Sequence, residues 1–141
     1  MKKRIIDLLP IFFIVMIVGI FFYQTLVSGK LPVPSDTLIG MYHPWRDAYA
    51  HTFTNGVPFK NFLITDPVRQ QIPWRKQVID AMKSKKLPLW DATSFSGTPL
   101  LANIQSGALY PLNVLFFLFP FSTACTILII SKPLLGGIFF F

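Results

Sequence analysis

The sequence contains no glutamate, a single cysteine and few charged residues of either sign. Charged residues make up 13% of its 141 positions, against about 25% in typical soluble domains. Cys125 cannot form an internal disulfide, which excludes a disulfide-stapled secreted scaffold. A hydrophobic content of 52% excludes an intrinsically disordered chain, and a mean hydropathy of +0.53 argues against a water-soluble globular domain.

The charges that are present are predominantly basic. Thirteen Lys and Arg residues stand against six acidic residues, all of them Asp, for a net charge of +7. Such a surplus is typical of proteins that bind nucleic acid or anionic lipid. Because most apolar residues lie in two blocks at the ends of the chain, we expect the lipid bilayer as the partner and no nucleic acid.

The first apolar block runs from Leu8 to Val27. Twenty residues of helix span about 30 Å, the thickness of the hydrocarbon core, which predicts a transmembrane helix over 8–27. The basic residues at positions 2–4 predict that residues 1–7 are cytoplasmic. A cleaved signal peptide, which would leave a secreted lectin-like module, is the alternative. The length of the run favours an anchor, because apolar regions of signal peptides span about 7–15 residues.

The second block starts near Tyr110 and allows two partitions. Either 111–130 spans the membrane and Lys132 marks its inner face, or Pro120 breaks the block. We prefer the break, because proline removes a helical hydrogen bond and its ring clashes with the preceding turn. This partition predicts a short interfacial helix over 111–119 and a second transmembrane helix over 120–141, with Lys132 near its middle. The final three residues, all Phe, predict the amino-terminal piece of a longer multi-pass protein.

The segment between the blocks, 28–110, is predicted to be a large structured extracytoplasmic loop. It exceeds the length of about 60 residues over which basic residues control orientation, so its net charge of +4 is no obstacle. Pro44-Trp45-Arg46 and Pro73-Trp74-Arg75 each predict the start of a short amphipathic helix. Such helices suit a membrane interface or a face packed on other protein, and both interpretations stay open. Residues 87–105 are rich in turn formers and predict ordered turns. The predicted fold class is thus mainly α, a polytopic helical membrane protein.

Candidate chemistry rests on two carboxylates and three arginines, because the sequence has no phosphate loop, catalytic triad or zinc motif. Asp36 and Asp66 are candidates for a general base or for a ligand of a divalent metal ion. Arg46, Arg69 and Arg75 are candidates for binding a phosphate through forked hydrogen bonds. The structural alternative is that each Asp caps the helix that follows it or pairs with a nearby Arg.

Several turn motifs occur in one order across residues 35–121. They are Asp66…Gln70-Gln71-Ile72-Pro73-Trp74, Leu87-Pro88-Leu89-Trp90-Asp91, Phe95-Ser96-Gly97-Thr98-Pro99-Leu100-Leu101-Ala102-Asn103 and Tyr110-Pro111-Leu112-Asn113. In this order they resemble the first outer loop of YfhO-type bacterial membrane proteins, which are similar to the GT-C glycosyltransferases. The resemblance implies a multi-pass enzyme of a bacterial plasma membrane. Such an enzyme transfers a sugar from a polyprenyl-phosphate donor to a cell-envelope acceptor.

The resemblance also implies site residues. An acidic residue of the first outer loop commonly acts as base or metal contact in GT-C enzymes, which implies Asp66 first and Asp36 second as catalytic residues. Arg69, Arg75 and Arg46 would then bind the donor phosphate. The fragment alone is expected to be inactive, because such a pocket needs further helices. The alternative hypothesis is a non-catalytic assembly or transport partner whose outer loop binds another protein.

Overall fold

The computed structural model describes residues 2–56, 61 and 63–140, with side chains from residue 8 onward. Helices make up 62% of the structure, well above the roughly one-third found in average globular proteins, so the fold is mainly helical as predicted. The chain divides into two compact units. One comprises Met1–Pro32 with Val114–Phe141, and the other comprises Val33–Asn113. We call them the terminal unit and the central unit.

The first apolar block forms two consecutive helices, α1 (Lys2–Phe21) and α2 (Tyr23–Ser28). The prediction of one regular helix over 8–27 is corrected here, because helical backbone begins earlier and is interrupted at Phe22. The hydrogen-bonded path continues through the interruption, since the Phe22 N–H donates to Val18 at 3.0 Å. Gly29 ends α2 in the left-handed conformation, with φ at +64°. The helix therefore ends at Ser28, directly after the last residue of the apolar block.

The second apolar block breaks at Pro120, the position at which the preferred partition divides it. A 3₁₀ turn (Pro111–Val114) leads into α6 (Leu115–Leu118), and α7 (Phe121–Phe140) follows. Phe119 between them is extended, with φ at −128° and ψ at 158°. The ring of a proline disfavours helical backbone at the residue before it, which favours a break here, although Pro10 and Pro133 lie inside α1 and α7.

In the terminal unit, α1 packs against α7 through a glycine. A Cβ atom placed on Gly137 would lie 2.9 Å from a methyl carbon of Ile14, so the two backbones approach closely only because the side chain is absent. Small residues at such crossings are typical of helices that associate in a membrane. Elsewhere on α7 the buried side chains are Ala124, Cys125 and Leu128.

Within the described residues, α7 is the one helix both long and apolar enough to cross a membrane. It has 20 residues, and only 17% of its most apolar stretch is buried in the structure. The apolar part of α1, Leu8–Phe21, is too short by itself, so the predicted first span is not shown. Lys132 lies within α7 and is exposed.

Most of the predicted outer loop folds as the central unit, which has its own small core. Its helices are α3 (Asp36–Met41), α4 (Trp45–Tyr49), a π-helical turn (Pro67–Gln71) that continues into α5 (Ile72–Lys83), and a 3₁₀ turn (Ile104–Ser106). Its two strands are β1 (Trp90–Asp91) and β2 (Thr98–Pro99). The strands pair antiparallel, with Trp90 opposite Pro99 and Asp91 opposite Thr98. The segment 87–105, predicted as turns alone, therefore also contains a short β-ribbon.

The helix α5 provides the central face of this core. Val78 and Ile79 are fully buried, whereas Lys76 and Lys83 are exposed, which confirms an amphipathic helix. Pro73 lies among its first residues, where a missing N–H costs little. The matching prediction for Pro44-Trp45-Arg46 holds only in part. The helix α4 has five residues and all of them are exposed.

Candidate functional site

The most completely bonded carboxylate of the central unit is Asp91, whose side chain is fully buried. Its Oδ1 accepts hydrogen bonds from the Thr93 backbone N–H at 2.8 Å and from the Thr93 hydroxyl at 2.6 Å. Its Oδ2 accepts one from the Ser94 hydroxyl at 2.7 Å. The Gln77 side-chain amide donates to the Thr93 hydroxyl at 3.0 Å, which ties this cluster to α5. The carboxylate thus orders the turn that leaves β1.

The same contacts keep Asp91 ionised. Burial by itself raises the pKa of the Asp91 carboxyl, but the hydrogen bonds from Thr93 and Ser94 favour the charged form and outweigh burial. The net effect holds the pKa well below its ordinary value. Asp91 is therefore a charged acceptor at neutral pH, and its oxygens serve the turn.

A second polar cluster joins α5 to the end of the central unit. Arg75 donates to the Asn113 side-chain oxygen at 2.7 Å. The Asn113 amide donates in turn to the backbone oxygens of Gly107 at 2.7 Å and Ala108 at 3.1 Å. Gly107 lies so close to the Arg75 guanidinium that a Cβ there would overlap it. Arg75, predicted to bind a phosphate, is half-buried and takes part in this internal contact.

The two other arginines lie in different surroundings. The Arg69 guanidinium stands over the Tyr42 ring, 5.5 Å from its centre, in a cation–π contact at the surface. Arg46 is exposed and lines an open hollow of about 220 Å³. The remaining lining residues of the hollow are Gly40, Tyr49, Ala50, Phe53, Thr54 and Gly56. This volume is below the roughly 300–1,000 Å³ typical of ligand pockets.

The two predicted catalytic carboxylates differ in their contacts. Asp66 precedes the π-helical turn at its N-cap position, yet its exposed side chain makes no capping hydrogen bond. Asp36 is half-buried in the first turn of α3, and its Oδ1 accepts from the Thr37 backbone N–H at 3.2 Å. Asp36 therefore has a local structural role, whereas the Asp66 carboxylate is not used to cap its helix.

Asp36 and Asp66 are also the predicted candidates for binding a divalent metal ion. In the part of the chain that the structure describes, no group of three or more His, Cys, Asp or Glu side chains could hold a metal ion. The His43 ring lies 2.6 Å from an Asp47 carboxylate oxygen, and both side chains are exposed, so this is a surface pair.

The sequence prediction missed Asp91 and Asn113 as key polar residues. A signal for Asp91 was present, because Asp followed by Thr and Ser two and three residues later is a typical side-chain-capped turn. Asn113 had no comparable local signal, since its partner Arg75 is 38 residues away. Both belong to the motifs of the family resemblance, and in this structure both stabilise the central unit.

Comparison of the chain with models of protein families, with curated proteins and with solved structures finds no match.

Proposed function

We propose that this chain belongs to a multi-pass membrane protein similar to the GT-C glycosyltransferases, with the central unit on the extracytoplasmic side. The single observation that supports a membrane location best is α7, a 20-residue apolar helix of which only 17% of the most apolar stretch is buried in the structure. In water such a surface is costly, at about 25 cal/mol per Å² of apolar area. A bilayer or neighbouring helices would cover it. The basic residues at 2–4 support a cytoplasmic amino terminus.

The proposed reaction is direct displacement at the anomeric carbon of a polyprenyl-phosphate sugar by an acceptor hydroxyl of the cell envelope. Asp66 is the proposed general base, because its exposed carboxylate does not cap the helix that follows. Asp36 is the second candidate. Arg69 and Arg46 are exposed and suit the donor phosphate, whereas Arg75 would have to give up its contact with Asn113.

The test is the Asp66→Asn variant in the full-length protein, expressed in its own membrane. Sugar incorporation into cell-envelope polymers is the readout. We expect at least about a 100-fold loss of transfer, the minimum typical of a lost general base. Asp80→Asn is the matched control, because Asp80 is also an exposed acidic residue of this unit but pairs with Lys76 on the same helix. Full transfer by both Asp66→Asn and Asp36→Asn would contradict the enzyme proposal for these residues.

A non-catalytic assembly or transport partner is the second candidate function. The hydrogen bonds of the central unit favour this function. Arg75, Asn113 and Asp91 bond to groups within the unit and stabilise it, so these polar side chains are engaged in structure and not in catalysis. Under this proposal the Asp66 and Asp36 variants keep normal envelope glycans. Replacing exposed side chains of the central unit, such as Trp45, would instead abolish co-purification with another membrane protein.

A further inference from the structure

The turn that joins β1 to β2 has an unusual residue choice. The Gly97 N–H donates to the Ser94 oxygen at 2.7 Å, which closes a four-residue turn. Its two central residues, Phe95 and Ser96, both have positive φ, at 49° and 67°. Two positive φ values are the signature of a type I′ turn, which strongly prefers Asn-Gly. A bulky residue in the left-handed conformation is a genuine outlier.

The surrounding contacts hold this turn in place. Asp91 accepts three hydrogen bonds from Thr93 and Ser94 at the start of the turn. At its end the Trp90 indole covers Gly97 so closely that a Cβ on that glycine would overlap the ring. These contacts at the two ends of the turn therefore hold Phe95 in the left-handed conformation.

The Phe95 side chain gains almost no packing contact with the described part of the chain. Its side chain is 97% exposed, so it buries almost no apolar surface in the central unit. Strained backbone that brings no internal gain is typical of positions that contact something outside the chain. The exposed ring at the tip of the ribbon is the group positioned for that contact.

The charge of the stretch 83–105, which contains the ribbon, indicates what the contact is. Lys83, Lys85 and Lys86 lie at and just beyond the end of α5, which Gln77 ties to the ribbon through Thr93. The one acidic residue of the stretch 83–105 is Asp91, and it is buried. The exposed charge of this stretch is therefore entirely positive, complementary to anionic lipid headgroups.

The Trp90 ring adds a second interfacial feature. It is 58% exposed and stands beside the turn, and indole rings favour the boundary between headgroups and acyl chains. A single protruding ring in a stretch whose exposed charge is entirely positive also fits a fluid bilayer surface better than a protein partner, since protein interfaces bury broad complementary patches.

We infer that the ribbon tip inserts Phe95 into the lipid–water interface of an anionic bilayer, with Trp90 beside it and the lysines against the headgroups. The inference rests on the proposed membrane location of the chain. It adds a second, peripheral membrane contact that lies outside the apolar helices and involves none of the proposed catalytic residues.

The test places an environment-sensitive fluorophore at the ribbon tip of the full chain. The cysteine is first removed by Cys125→Ala, and Phe95→Cys is then labelled and reconstituted into vesicles of phosphatidylcholine and phosphatidylglycerol. The matched control is Ile104→Cys, because Ile104 is 93% exposed in a separate turn of the same unit. Quenching by nitroxide-bearing lipids and by aqueous iodide is measured at each position.

We expect the label at 95 to be quenched by lipid nitroxides and protected from iodide, and the label at 104 to behave in the opposite way. Adding Lys83→Gln and Lys86→Gln, or omitting phosphatidylglycerol, should weaken the lipid contact, by roughly fivefold for each lysine removed. Iodide quenching at 95 equal to that at 104, in a chain that floats with the vesicles, overturns this inference alone. Equal lipid quenching at both positions also overturns it, because the contact is then not specific to the tip. A chain that does not float with vesicles overturns the proposed membrane location as well.

Discussion

Replacing Asp91 by alanine should be among the most damaging single changes in the central unit. The substitution removes a buried acceptor that satisfies one backbone N–H and two hydroxyl groups. Hydrogen bonds to a charged group contribute about 1.5–3 kcal/mol each to stability. Because Thr93 is exposed, water can replace part of the loss, and the burial cost of the carboxylate is recovered. We therefore expect a loss of about 3 kcal/mol, a large fraction of the 5–15 kcal/mol typical of a folded domain.

The assay is urea unfolding of the full chain in detergent, followed by tryptophan fluorescence, since Trp90 borders the Asp91 turn. Asp91→Asn should cost about half as much as Asp91→Ala, because one side-chain oxygen still accepts from Thr93 while the amide cannot accept from Ser94. Asp80→Ala is the control and should cost less than about 1 kcal/mol, since its pair with Lys76 is exposed. A stability of Asp91→Ala within about 0.5 kcal/mol of that control would refute the reasoning.

The pH dependence of this stability has a definite sign. The folded pKa of Asp91 lies below its ordinary value of about 3.9, so its contribution is complete above that pH and declines as the pH falls further. Between pH 7 and pH 3 about 1 kcal/mol of the contribution should be lost. The stability difference between the wild-type chain and Asp91→Asn should therefore shrink by that amount, measured by unfolding at both pH values. A difference that stays constant would contradict an ionised, hydrogen-bonded Asp91.

Four further substitutions test the packing within the two units. Gly137→Ala should push α1 away from α7 and lower the thermal midpoint, whereas Gly136→Ala, which meets open space, should leave it unchanged or raise it. Gly97→Ala should destabilise the ribbon by more than about 2 kcal/mol and shift the Trp90 emission, because the new methyl group displaces the indole. Asn113→Ala should cost about 1–3 kcal/mol in urea unfolding, since it removes the acceptor for Arg75 and the donor to the Ala108 oxygen, whereas the Gly107 oxygen still accepts from the Tyr110 N–H.

Controls separate packing from backbone strain in these variants. Gly56 also has a positive φ, at +88°, but a Cβ there meets nothing within 4 Å. Gly56→Ala should therefore cost only the strain, about 1–2 kcal/mol. Equal losses for Gly56→Ala and Gly97→Ala would show that contact with Trp90 is unimportant. Equal thermal midpoints for Gly136→Ala and Gly137→Ala would likewise contradict the close helix crossing.

Local sequence rules account for some of the helix boundaries. Pro120 ends α6 because its ring disfavours helical backbone at Phe119, whereas Pro10 and Pro133 lie inside α1 and α7, so the presence of proline alone does not place a break. Gly29 ends α2 for a similarly local reason, since glycine adopts the left-handed conformation at little cost. The same rules failed in the first apolar block, where Pro10 and Gly19 stay helical and the interruption falls at Phe22 instead.

The site was less predictable from pattern. From the sequence alone, Arg75 and Asp66 both qualify as charged side chains available to a substrate. The fold instead pairs Arg75 with Asn113, and it leaves the Asp66 carboxylate exposed. Phe95 was noted as part of a motif, but its exposure and its left-handed backbone follow from the closure of a ribbon around Asp91 and Trp90. Such roles depend on the register of two strands, which a run of turn residues does not specify.

Composition alone establishes a basic chain with apolar ends, and local stereochemistry favours a break before Pro120. These features depend on solvation and on steric contacts between neighbouring residues, so they can be read from the sequence. Which proline interrupts a helix was decided by the folded structure, because Pro10 and Pro133 lie inside α1 and α7. The bonding of Asp91 to α5 through Gln77, the contact of Arg75 with Asn113 and the exposure of Phe95 depend instead on groups that meet only after folding. Hydrogen bonds act over about 3 Å in space whatever the separation in sequence, and the folded structure therefore decides which of the polar residues remain available for function.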